Sequence, residues 1–597
     1  MVRWRDYKDT PQSKSGFERP EIQTYQAMGW PKGWLADMPT AHVPVDGLDF
    51  IKDYNWTEGY TLERRGGYER VTTSVAGLEA SQLTKIVAVE TVASLTAQPS
   101  FTQEVLNIND TDSEVWYATL GDLLEQERDS TGANLAYSGE AIGPWDNSTS
   151  NYFRTWNVET LVYGQYIYMT SLRFGGFTGV STAATHDGSA GGASKPIRYD
   201  VLNDTWTRPT PHALDGTTTG FPSARCAITA HNSVFVANLY KMSGYRYPSR
   251  IYWSTAGTSE TFEANSFIEV GGDDGSEITQ LLPMGDYIMI FKNDKTYILT
   301  GTDTDTFKLH MVSPRFGTRS SSGAVEHKGK AYFFDQSNGV MSYDGAKFEN
   351  ISEDINDYIL KQAPFNSESD FRVNVQSLGD RIFVSIPTGS GIDEFVDRTF
   401  IYDVKLKVWT QWYTGIPSEI REGQTDHSYT GVGLTGQGDA FYGSPDGEIG
   451  LFRLEGTISV DQPVGGDSNV SAQAHTGWLT MGAMGNRHRL RRIDLLSGAD
   501  SIGDDVTIHA YRDFNNTDIW TTVTEDVLLF DLDAWHMQSQ ALDQGQMFTW
   551  LQLDIRQSGA ANTSGLLMGY QVKFSSRPYH RGPQGGVNLL PEGGGES

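Results

Sequence analysis

A short unit recurs along this chain: a polar turn followed at once by an apolar or aromatic strand. It stands at 114–117 (EVWY), 165–168 (QYIY), 233–236 (SVFV), 286–289 (DYIM), 330–334 (KAYFF), 380–384 (DRIFV) and 439–442 (DAFY). The intervals are 51, 68, 53, 44, 50 and 59 residues. A small sheet of this kind has two open faces and cannot bury them alone, so it needs similar neighbours. Around 250–301 the pattern is clearest. The run 286–291 (DYIMIF) is continuous and apolar, as a strand covered on both faces must be, and 296–300 (TYILT) returns from a polar turn. Blades of a propeller repeat at about 40–50 residues, with insertions falling in loops.

A second element follows the first. The segment 197–200 (IRYD) leads to Trp206, 401–403 (IYD) leads to Trp409, and 342–344 (SYD) leads to Phe348. The Asp side chain accepts hydrogen bonds from backbone N–H groups of a tight turn. The aromatic ring on the returning strand then packs between neighbouring blades, and Trp253 and Phe307 are read in the same role. A buried aromatic covers roughly 150–250 Å², worth a few kcal/mol at about 25 cal/mol per Å². These features predict an all-β chain whose main domain is a β-propeller of six or seven blades over 81–455. The unit at 114–117 is the weakest of the seven.

The flanks read differently. Residues 1–80 carry helix-breaking prolines and a short extended segment at 47–51, and form an irregular or platform segment. After 455 a polar stretch gives way to evenly spaced strands without helices. This predicts an additional antiparallel β-sandwich or jelly-roll-like platform domain over 456–576. The Gly-rich 577–597 reads as a flexible tail. Helical spacing appears at Ile355, Tyr358 and Ile359, with Ser352 expected as the N-cap.

Composition bounds the chemistry. There are 46 Lys and Arg against 75 Asp and Glu, a formal charge of −29, so non-specific coating of nucleic acid or anionic lipid is not expected. One cysteine, Cys226, excludes an intramolecular disulfide framework. No run of 18 apolar residues predicts a membrane span, and no apolar h-region predicts a signal peptide. The 12 His do not cluster at metal-ligand spacing. Residues 271–275 (GGDDG) lack the ligand count of a calcium loop, and a hairpin turn is the simpler reading. No carboxylate pair, nucleophile motif or phosphate loop is singled out by spacing. The expectation is a chain without catalysis, metal or cofactor.

Two basic features stand out. Arg64 and Arg65, before Gly66 and Gly67, read as a strand ending in a turn, or as a contact with another protein. In 487–492 (RHRLRR), strand alternation puts Arg487, Arg489 and Arg491 on one face, and His488, Leu490 and Arg492 on the other. Three readings stay open for this cluster: pairing with acids of the same chain, a subunit contact, or a nucleic-acid contact.

The segment 250–301 resembles the central region of the tail nozzle proteins of short-tailed bacteriophages, also called tail tubular protein B. So does 312–355 (VSPRFGTRSSSGAVEHKGKAYFFDQSNGVMSYDGAKFENISEDI). The stretch 55–68, ending in Arg64, Arg65, two glycines and Tyr68, is similar to the family's N-terminal pattern. The resemblance implies a structural virion protein made in the host bacterial cytoplasm. It implies a homohexamer with a central channel below the portal and adaptor rings, through which genome DNA is ejected. It implies a propeller on each subunit and a platform built partly from terminal segments. Its partners would be other copies of itself, the adaptor or head-to-tail protein, tail fibres or spikes, and DNA passing without sequence-specific binding. Arg64, Arg65, Arg487, Arg489, Arg491 and Arg492 are then candidate subunit or adaptor contacts. The acidic charge suits such a channel. DNA carries about one charge per 1.7 Å, and a wall of phosphate contacts would grip what it must release. The alternative function is a carbohydrate- or receptor-binding propeller, with exposed aromatics such as Tyr245 and Tyr247, or Trp409 and Trp412, as its platforms.

Overall fold

The computed structural model describes residues 22–67, 159–170, 219–240, 246–272, 274–362, 373–388, 398–414, 468–481, 486–497, 504–526, 547–559 and 566–577, with shorter stretches between them. The chain is all-β, as expected. Among the described residues there are six four-stranded antiparallel sheets in chain order, and these are the blades of a β-propeller. Each of the last six sequence units falls on the second strand of its sheet. These strands are Tyr166–Thr170, Ser233–Tyr240, Tyr287–Lys292, Lys330–Asp335, Arg381–Ile386 and Asp439–Gly443. Their interior positions are apolar and buried because a blade packs on both faces; in Tyr287–Lys292 only the first residue is less than fully buried.

The unit at 114–117 behaves differently. It lies in Ser113–Leu120, which among the described residues pairs with Lys85–Ala93 alone. This two-stranded hairpin lies between the last blade and the first. Among the described residues it is two-stranded, so four-stranded sheets there number six. The last blade takes its outer strand from early in the chain: Glu69–Arg70 pairs with Leu451–Arg453. A strand that close to the start therefore completes a sheet begun at Arg421–Gly423.

The platform is a second body of strands. A six-stranded sheet runs Leu48–Lys52, Ser471–Thr476, Trp550–Gly559, Asp504–Arg512 and Thr521–Asp526, with Leu479–Thr480 alongside. An eight-stranded sheet contains Ile22–Met28, Leu566–Arg577 and Arg487–Ser497 as neighbours, and Thr61–Arg64 joins it through Leu566–Arg577. The two sheets share one core. Ala474, Ile508, Leu553 and Ile555 from one meet Leu490, Ile493, Val572 and Phe574 from the other in the same buried cluster. The sandwich therefore draws strands from early and late in the chain alike.

The helical element is present as a single 3-10 turn, Glu353–Ile355, followed by a helix at Asn356–Gln362. Ser352 does not cap it. Its hydroxyl instead accepts the Val340 N–H (2.9 Å) and donates to Asn350. The N–H groups of Asp357 and Tyr358 are accepted by the Asp37 carboxylate, at 2.7 and 2.9 Å. The cap comes from a platform residue 320 positions earlier. Beside this helix, Gly339 closes a hairpin at φ +79°, and a Cβ there would run into the side-chain oxygens of Asn356 and Ser352. Gly339→Ala is expected to cost on the order of 2 kcal/mol, read as a lowered midpoint in urea unfolding with an unchanged slope.

Candidate functional site

The join between platform and propeller is the most heavily built place in the described residues. Blade five ends in Val408–Trp412, and all five of its residues are buried. The hydroxyl of Thr410 donates to Tyr54 O (2.6 Å), and the Trp56 indole N–H donates to Trp409 O (2.8 Å). The Asp53 N–H donates to Gln411 O (2.8 Å), and the Trp412 indole N–H donates to Asn55 Oδ1 (3.1 Å). Trp34 stacks on Phe400 (6.1 Å between centroids) and meets Tyr358 edge-on at 5.0 Å. One apolar cluster runs through Trp30, Trp34, Tyr54 and Trp56 of the platform into Tyr332, Val384, Phe400 and Trp409 of blades four and five. Side chains this interlocked join the two bodies through a continuous core.

The arginine pair falls inside this join. Arg64 and Arg65 are both buried. The Arg65 Nε donates to Asp53 Oδ1 at 2.9 Å, and its guanidinium lies 5.7 Å from the centre of the Trp412 ring. Arg64 Nη1 reaches Val470 O at 3.4 Å. The pair closes contacts of its own chain, and neither side chain is at the surface to receive an adaptor or a second subunit.

The blade aromatics sit where sheets meet. Trp253 of blade two packs edge-on against Phe307 of blade three (4.9 Å) and near Phe235 (6.2 Å). Phe348 stacks on Tyr343 (4.5 Å) and contacts Phe316 (5.2 Å). The Trp409 indole N–H donates to Ile351 O (2.8 Å), tying blade five to the end of blade four. Trp206 stands opposite Tyr199 on the outer strand of blade one, and its side chain lies outside the described residues. Trp409 and Trp412 are both buried, so neither offers a face to a sugar. Tyr247 lies beneath the Arg250 guanidinium at 4.1 Å, and Tyr245 is outside the described residues.

At the described residues of 271–275 the cation is a lysine from the strand Tyr287–Lys292. Lys292 is 0% exposed, and its ammonium donates to Asp274 Oδ1 (2.7 Å), Gly271 O (3.2 Å) and Ser249 Oγ (3.2 Å). Lys295 adds a second positive charge 3.4 Å from the same carboxylate. Burial alone would raise the Asp274 pKa, but the bond from Lys292 and the Ser276 N–H outweigh it, and the net direction is down. A second charged seam joins blades two and three. There Glu277 accepts from Arg225 (3.0 Å) and pairs with Arg246, and it too titrates below its usual range once both arginines outweigh its burial. Among the described residues no group of three or more His, Cys, Asp or Glu is arranged to hold a metal ion.

The basic cluster lies on Arg487–Ser497, and its faces differ from simple alternation. His488 and Leu490 face the core, against Phe548 and Phe574. The pairing with Leu566–Arg577 then slips between Leu490 and Arg492, a β-bulge at Arg491. Beyond it Ile493 and Leu495 are the core residues. Arg492 is thus moved off the face of His488 and onto that of Arg487 and Arg489. It pairs with the buried Asp494, which Lys573 also approaches at 3.1 Å. Arg491 Nε donates to Ser575 Oγ (3.2 Å).

No family model matches the chain, and no curated protein does. Solved structures do. The chain is similar to apo AztD from Citrobacter koseri, at 11% identity and a TM-score of 0.25, covering 42% of this chain and 57% of that one. It is similar to an exo-β-1,3-galactanase from Phanerochaete chrysosporium, at 12% identity and a TM-score of 0.25, covering 72% and 99%. It is also similar to a family 43 arabinoxylan arabinofuranohydrolase from Bacillus subtilis, at 11% identity and a TM-score of 0.21, covering 61% and 96%. The chain thus spans 57% of the length of AztD. Two of these three are glycoside hydrolases, and they overturn the sequence-based expectation that catalysis is excluded for a chain of this design. Likeness at this level does not transfer their activity. What stands on the chain's own topology is a β-propeller, with six four-stranded sheets among the described residues, joined through a continuous core to a sandwich woven from early and late strands.

Proposed function

We propose that this chain is a ring-forming nozzle subunit of a short-tailed phage tail, seated below the adaptor and lining a channel for outgoing DNA. One observation carries the reading. The three stretches that resemble the nozzle family coincide with the structural frame. Segment 250–301 spans the seam of blades two and three, and 312–355 contains the whole of blade four. Segment 55–68 supplies the platform side of the join, through Trp56 and the buried arginines. A platform drawn from both termini is also what the resemblance implies. The fused core suits a wall that must keep its shape while DNA moves past it. Electron-microscope class averages of the purified chain mixed with its adaptor are expected to show closed rings with a central hole. Monomers throughout, at every concentration tested, would overturn the reading.

A second reading, binding of a glycan, rests on one surface. Phe514 is 51% exposed and lies 5.0 Å from both Trp478 and Trp550. Asp513 and Phe514 both adopt left-handed backbone, at φ 52° and 64°, which holds the ring outward. An exposed aromatic beside polar Asn515 and Asp518 is a surface on which a sugar ring stacks. A glycan array is the test: binding that Phe514→Ala abolishes supports this reading, and an array blank for the native chain removes it.

A further inference from the structure

We propose that the outer face of the eight-stranded sheet is the surface on which one copy of this chain receives the next. The proposal rests on the ring reading above and names the contact within it. Tyr25 and Ala27 are buried in the sandwich core, so Ile22, Thr24, Gln26 and Met28 point the other way. Val572 and Phe574 are likewise core, which turns Lys573 outward. The bulge at Arg491 brings Arg492 to the same side as Arg487 and Arg489. One face therefore carries Arg487, Arg489, Arg492 and Lys573. Its described acids are Asp494, which is buried against Arg492 and Lys573, and Glu63 at the far end of the sheet.

The rest of the molecule makes this face unusual. The chain carries −29 overall, so two copies repel wherever acidic surface meets acidic surface. A face of the minority sign is where a second acidic copy meets attraction, and opposed potentials of this kind set register and suppress wrong pairings. The contact is heterologous: the basic face of one copy against acidic surface of the next, repeated until the ring closes. Two apolar side chains mark the face as a protein contact. Met28 is 47% exposed and Ile22 is 41% exposed, on the same strand and the same side. A phosphate backbone gains nothing from a methionine or an isoleucine, whereas a protein surface does.

The test uses the full chain in sedimentation velocity and mass photometry, with melting curves as the fold control. Arg487→Glu with Arg489→Glu reverses two charges without touching the pair that holds Asp494. Met28→Glu attacks the apolar part separately. Both variants are expected to melt as the native chain does and to need on the order of ten-fold more protein, or worse, to form rings. Rings formed by both variants at native concentration overturn the face and leave the ring reading standing. A native chain that forms no ring, alone or with the adaptor, overturns both. A native chain whose charge-reversed variant keeps its rings but loses binding to a short DNA duplex overturns the proposal in favour of a nucleic-acid face.

Discussion

Trp34→Ala is expected to lower stability by about 3–5 kcal/mol and to split one cooperative unfolding transition into two. Trp34 is 2% exposed and stands between the platform and blade five, against Phe400 and Tyr358. Its indole N–H also donates to Asp49 O at 3.1 Å. Removing it leaves a cavity in the core that the two bodies share, and cavity cost adds to the lost transfer energy. The hydrogen bonds that remain at the join, among them Trp56 to Trp409, Thr410 to Tyr54, Asp53 to Gln411 and Trp412 to Asn55, are worth about 1 kcal/mol each. Differential scanning calorimetry checks the result. A variant that melts as one transition within a degree of the native chain would show that the join does not depend on this ring.

Asp49→Asn is expected to stabilise the chain by up to about 3 kcal/mol at pH 7 and to leave it unchanged near pH 4. Burial pushes the Asp49 carboxyl up to about 6, against the opposing pull of His475 and Gln552. The sign follows from linkage. A carboxyl whose folded pKa lies above its unfolded value binds protons more tightly in the folded state, so its cost is absent below about pH 4. The cost grows as pH rises towards 6 and is complete above that. Asp554, in the same sheet, runs oppositely. Burial would raise it, but His475 at 3.2 Å, Arg556 at 2.8 Å and Gln473 at 2.9 Å together hold it down to about 2. Its contribution is present above about pH 4 and is lost as pH falls towards 2. Chemical denaturation of native chain and Asp49→Asn between pH 3 and pH 7.5 separates the two. The curves are expected to meet near pH 4 and diverge above it. Parallel curves across the whole range would contradict the assignment.

The blades were legible because their signal is local. A turn followed by an apolar run marks the second strand of a sheet wherever it falls, and six units did so. At two of the blade turns the Asp acts within three residues: Asp344 accepts from Ala346 and Lys347, and Asp403 accepts from Leu406. The platform was less legible because its partners are remote. Ile22–Met28 pairs with Leu566–Arg577, more than 500 positions away, and no periodicity in either strand names the other. Asp37 capping a helix at 357–358 is hidden for the same reason. In the 487–492 cluster the face reading failed at Arg492. Alternation puts Arg492 on the face of His488 and Leu490, and the bulge at Arg491, which only the pairing partner reveals, moves it to the other face. Arg64 and Arg65 look like surface residues by type, and their burial follows from Asp53 and Trp412, which approach from outside their own strand.

The interleaving of early and late strands sets the order of events during synthesis. Ile22–Met28 leaves the ribosome with its apolar side bare, and its partner strand follows more than 500 residues later. At about 5–20 residues per second, that interval is on the order of half a minute or longer. The middle blades close in the meantime from neighbouring strands, whereas the early strands wait for the last ones to be made. The nascent chain thus carries a sticky leading end throughout its manufacture, and a product cut short before Leu566 leaves that end without its cover.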